Sequence, residues 1–121
     1  MMASVALVIA GLMGAAGVIA AALAAHSVQG PALVSASSML LVHALAVVGV
    51  VSLLDGARLW RPAAALAIAV WIVGGVLFAG DIGLRAYSGQ RLFSMAAPTG
   101  GSMLIVGWVL LTVSAIAGSR A

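Results

Sequence analysis

The sequence predicts an all-α integral membrane bundle of four transmembrane helices, and three observations carry that prediction. The chain is 65% hydrophobic and only 6% charged over 121 residues, with a mean hydropathy of +1.33. Soluble domains carry about a quarter charged residues, and five basic plus two acidic side chains cannot cover a water-facing globule. A lipid-facing surface needs no such cover. Second, no charged side chain precedes Asp55. Third, the chain divides into four apolar stretches, each near the roughly 20 residues that a helix needs to cross a hydrocarbon core of about 30 Å.

The first stretch covers about residues 3–25. Small residues around Ala22-Leu23-Ala24 invite comparison with a signal-peptide cleavage site. No Lys or Arg precedes the run, however, and it exceeds the roughly 7–15 residues of a signal core, so it reads as a retained span. The second covers about 32–54 and is entered through Gly30-Pro31. The third covers about 63–86, with Pro62 in a first turn where its missing N–H costs nothing. Ser88-Gly89-Gln90 then reads as a turn. The fourth covers about 99–118 and follows Pro98. The links are too short to hold a further unit, so residues 1–121 form one domain.

Four crossings put both termini on one side with the Asp55–Arg61 loop. That side carries Arg58, Arg61 and Arg120, and the other carries Arg85 and Arg91. The positive-inside rule then predicts cytoplasmic termini. Trp60, between Arg58 and Arg61, is placed as an interfacial anchor, while Trp71 and Trp108 fall inside helices as packing or lipid-contact residues. Small residues recur at four-residue spacing: Gly11 with Ala15, Ala16 with Ala20 and Ala24, Gly17 with Ala21, and Gly75 with Ala79 beside Gly74. Such spacing lets helix backbones approach closely, within this chain or between copies.

Composition also excludes function classes. Five arginines with no run between them make no phosphate-tracking stripe, so nucleic acid is not a partner. Cysteine is absent, which removes disulfides and thiolate chemistry. Without Lys or Glu there is no phosphate-loop lysine and no Glu acid–base catalyst. A Ser38–His43–Asp81 triad can be composed on paper, but no nucleophile elbow supports it. Catalytic residues, and a metal site, are therefore not expected.

In a membrane chain the polar minority is informative. Asp81 and Arg85 are four apart and can pair on one helix face. With odd helices ending where even ones begin, His26, Asp81, Arg85 and Thr99 are expected to gather at the end opposite the termini. His43 lies below them, and Ser35, Ser37, Ser38, Tyr87 and Arg91 belong to the same half. Three readings of this cluster stay open: a structural network of satisfied buried groups, a shallow pocket for a lipid headgroup, quinone or partner, or a haem held by His26 and His43. The last asks two imidazoles separated by about two helical turns to share one iron.

Several elements in order point to a family. They are Ala21-Ala22-Leu23-Ala24-Ala25-His26, His43-Ala44-Leu45-Ala46, Leu77-Phe78-Ala79-Gly80, Ala97-Pro98-Thr99-Gly100-Gly101 and Gly107-Trp108. In these the chain resembles domain-of-unknown-function family 423, which includes transmembrane-protein-256-like and many bacterial inner-membrane proteins. It departs from that family's usual pattern at Val42, where Tyr is common, and at Asp81-Ile82-Gly83, where Ser-Leu-Tyr is common. The resemblance implies a four-helix bundle of the bacterial inner membrane without an assigned activity. It marks His26, His43, Pro98, Gly100, Gly101 and Trp108 as motif positions.

The expected function is a non-enzymatic scaffold, assembly factor or accessory subunit of a larger membrane complex. Its partners would be membrane lipids together with that complex or further copies of the chain. The alternative is a lipid- or quinone-binding or transport bundle that uses a polar pocket opposite the termini. No cofactor is expected under the first reading; quinone belongs to the second, and haem to a third, an electron carrier.

Overall fold

Runs of alanine, leucine and valine free of internal proline favour helix, and in lipid every backbone group must find an internal partner. The computed structural model, which describes residues 1–119, accordingly consists of four helices. They are α1 (Met2–Ala25), α2 (Gly30–Leu53), α3 (Arg61–Ser88) and α4 (Ala96–Ser119). Each is long and apolar enough to cross a membrane. At 24 residues, α1, α2 and α4 reach about 36 Å at 1.5 Å per residue. The 28 residues of α3 reach about 42 Å, more than a hydrocarbon core needs.

Pro31 and Pro62 lie in the first turns of α2 and α3. Pro98 lies in the first turn of α4, which begins at Ala96, three residues before the Thr99 start read from the sequence. A first-turn N–H has no intrahelical partner, so proline is tolerated at several places there and does not fix the boundary. At its other end α3 closes on Gly89, whose φ of 72° is left-handed and whose N–H bonds to Arg85 O. Arg120, part of the charge-bias argument, lies outside the described residues.

The helices form two intimate pairs, α1 with α2 and α3 with α4, joined along α2 and α3; α1 barely meets α3. The two central helices, α2 and α3, are more deeply buried than the outer two. The core runs through Val47, Val50, Ala64, Ala67, Ile68, Trp71 and Leu104. Large apolar side chains such as Leu12, Leu45 and Ile105 face outward, a surface suited to acyl chains and costly in water.

Glycine sets the close contact between α3 and α4. A Cβ on Gly74 would stand 2.8 Å from Gly100 O, and one on Gly100 2.6 Å from both Gly74 O and Phe78 N. These two glycines bring the α3 and α4 backbones together. Gly107 likewise leaves the space that the Trp71 indole fills. On α1 the small residues divide: Gly17 faces Leu40 and Leu41 of α2, while Gly11 and Gly14 meet nothing.

Hydrogen bonds tie the 54–60 loop to α4. Trp60 N–H donates to Ser114 O at 2.9 Å, and Ser114 Oγ–H donates to Trp60 O at 2.8 Å. Arg61 Nη1 donates to Leu54 O at 2.6 Å and caps the end of α2. The start of α1 lines a cleft with the start of α3. The start of α1, this loop and the end of α4 thus share one end of the bundle, which four crossings require.

Candidate functional site

At the opposite end, Asp81 is only 2% exposed. A buried carboxylate needs partners for its charge, and Asp81 has two. Its Oδ2 accepts from Arg85 Nη2 at 3.2 Å, one helical turn on. Its Oδ1 accepts from the backbone N–H of Leu92 at 2.9 Å, which ties the 89–95 connection back onto α3. Asp81 therefore organises both the Arg85 side chain and the segment that carries Arg91.

Asp81, Arg85 and Arg91 line a cavity of about 410 Å³ together with Phe78, Ile82, Met95, Pro98 and Gly101. Met95, just before α4, holds a left-handed φ of 71°. That conformation costs an L-residue about 1–2 kcal/mol, and such strain concentrates at functional sites. Arg85 Nε–H is buried with no acceptor among the described residues, a penalty of about 1–3 kcal/mol. Depth adds meaning: about 20 residues span the hydrocarbon, and counted from the start of α3 they end near Asp81. By that count Asp81 falls near the end of the hydrocarbon span, and Arg85 and Arg91 lie beyond it.

His43 belongs to a second, separate site at mid-membrane. It is 3% exposed, its Nδ1–H donates to Met39 O at 2.7 Å, and its Nε2 accepts from Trp108 Nε1–H at 3.0 Å. A carbonyl only accepts and an indole only donates, so the imidazole is the neutral Nδ1–H tautomer. Trp71, whose Nε1–H donates to Leu104 O at 3.2 Å, lies with its ring centroid 4.8 Å from that of Trp108 and 6.2 Å from that of His43. Three aromatic rings from α2, α3 and α4 thus close one polar pin in lipid.

The sequence model Protein of unknown function (DUF423) matches residues 13–101, more than half of the chain. The chain belongs to this family. The match includes His26, His43, Asp81, Pro98, Gly100 and Gly101 and stops before Gly107 and Trp108. No curated protein and no solved structure matches this DUF423 protein.

Its sequence-selected residues do not form one cluster. Asp81 and Arg85 pair as their spacing requires, and Pro98 and Gly101 join them in the cavity wall. His26 is exposed at the end of α1 and Thr99 is exposed on α4; neither reaches the cavity. His43 lies about 20 Å along α2 from its start, deeper below His26 than two helical turns. The two imidazoles do not converge on a shared iron, and both His43 nitrogens are engaged. Ser38 is exposed and forms no triad with His43 and Asp81. Ser37 is buried and donates to Gly17 O at 2.7 Å, linking α2 to α1. Among the described residues, no three His, Asp or Glu side chains converge as a metal site would need.

The sequence reading missed the Trp108 donor to His43 and the Leu92 N–H donor to Asp81. Trp108 had one signal, its place in a family motif. Leu92 had none, because a backbone donor leaves no trace in residue type.

Proposed function

We propose that this DUF423 protein is a non-enzymatic membrane bundle that holds an amphipathic ligand, a lipid or a quinone, at the end opposite its termini. The observation that carries the reading is the cavity beside Asp81, lined by apolar side chains together with Arg85 and Arg91. Binding sites for small amphiphiles combine such a largely apolar wall with a few placed polar groups. An apolar groove of about 380 Å³ between α1, α2 and α3, reaching Leu23, Gly83 and Tyr87, opens near the same end and offers room for an acyl or isoprenoid chain.

A second reading, an accessory subunit of a larger complex, is favoured by one feature. Gly11 and Gly14 have no neighbour within 4 Å of an added Cβ and line an open groove with Leu41, Ala44 and Leu45 of α2, so α1 leaves small residues uncovered by its own bundle. Helices dock through such faces in membranes. Placement in a bacterial inner membrane is part of the proposal and is supported by the family resemblance. Cytoplasmic termini are supported by Arg58, Arg61 and Arg120 against Arg85 and Arg91.

Purification from native membrane in mild detergent, followed by mass spectrometry of lipids, quinones and proteins, separates the two readings. The ligand reading expects an amphiphile at fixed stoichiometry that is lost in Gly101→Leu, where an added Cβ meets only the Phe78 ring at 3.8–4.0 Å. Gly11→Leu should retain it. A fixed protein partner lost in Gly11→Leu, with no bound amphiphile, would replace the first reading with the second.

A further inference from the structure

The charges around the cavity do not balance. Arg85 gives one nitrogen to Asp81, keeps a buried Nε–H without an acceptor among the described residues, and leaves 38% of its side chain exposed. Arg91 lines the same space, is exposed, and makes no side-chain hydrogen bond or ion pair among the described residues. Asp81 is the one acidic side chain at this end; the other acid, Asp55, lies in the 54–60 loop at the far end. Two cations thus face one carboxylate whose two oxygens are already occupied. An arginine fork matches a phosphate or carboxylate with paired N–H donors, geometry that a lysine lacks.

We propose that the cavity binds a phosphate anion, with a membrane-lipid headgroup as its source. This rests on the reading of the polar end as a ligand site and names the ligand's chemistry. Depth favours the lipid over free phosphate. By the count of residues along α3, Asp81 falls near the edge of the hydrocarbon, so a lipid held there would keep its acyl chains in the membrane while its phosphate meets Arg85 and Arg91. A quinone offers carbonyl oxygens but no charge, and it would leave the excess cation unanswered.

The test places the full chain in bilayers containing equal amounts of phosphatidylglycerol and a phosphate-free digalactosyl diacylglycerol, and quantifies the retained lipid by native mass spectrometry. Phosphatidylglycerol should be enriched about tenfold, a difference of about 1.4 kcal/mol. Arg85→Gln and Arg91→Gln should each move the ratio toward parity, and Arg58→Gln, at the far end, should leave it unchanged. Among the described residues Arg91 has no side-chain partner to lose, so its variant keeps the test valid if Arg85→Gln fails to fold. Equal retention of both lipids, or enrichment that survives Arg91→Gln, overturns the proposal. If the galactolipid is held at fixed stoichiometry and lost in Gly101→Leu, the phosphate assignment falls while the ligand site stands. Retention of neither lipid removes both. Inorganic phosphate is the final arm: failure to displace phosphatidylglycerol supports the lipid source, and displacement at equal concentration overturns it.

Discussion

His43 and Asp81 are both buried polar residues in a lipid-embedded protein, and they are satisfied in different ways. His43 joins two helices through an indole donor; Asp81 holds its own helix and the turn that follows. Trp108→Phe keeps most of the ring volume but leaves Nε2 without a donor. It should destabilise the protein by about 1–3 kcal/mol, the cost of an unmet buried acceptor, measured by denaturant unfolding in detergent. Asp81→Ala removes partners from Arg85 and from Leu92 N–H at once and should cost about 2 kcal/mol by the same measurement. A larger loss is not expected, because Arg85 can turn its charge to water. The Asp81–Arg85 pair was legible in the sequence because helical spacing alone places i and i+4 on one face. The His43–Trp108 bond was not, because its partners lie 65 residues apart and meet only when the rotation of α4 against α2 is known.

Among elements, the α3–α4 contact depends on Gly74 and Gly100. Gly100→Ala would press a methyl into Gly74 O and Phe78 N, backbone atoms that cannot rotate away. Overpacking of this kind costs about 1–3 kcal/mol, so thermal unfolding in detergent should occur at clearly lower temperature. Gly11→Ala, facing open space, should change stability by no more than about 0.5 kcal/mol. The number, order and approximate extents of the helices followed from length and hydropathy because a bilayer demands both. The roles of individual glycines did not follow. Gly11 and Gly17 look alike in sequence, and only the packing of α2 against one face of α1 tells them apart.

For the whole molecule, four antiparallel crossings and one polar end are the features that organise function. The chain has no cysteine, so single introduced thiols report topology without background. Ser4→Cys and Gly56→Cys should react with an impermeant maleimide from one side of the membrane and Gln90→Cys from the other; labelling of all three from one side would contradict the arrangement. The end opposite the termini was legible as the polar half of the protein. Its division into a headgroup-level cavity and a mid-membrane pin was not, because separating His43 from Asp81 needs helix depth and rotation together. The most direct test of the central claim, that the cavity beside Asp81 holds an amphipathic ligand, is photo-crosslinking with a lipid that carries its reactive group near the headgroup, followed by peptide mapping. Labelling concentrated on the cavity wall around Phe78 and residues 91–101 is the predicted result. Labelling spread evenly over the lipid-facing ends of all four helices would contradict it.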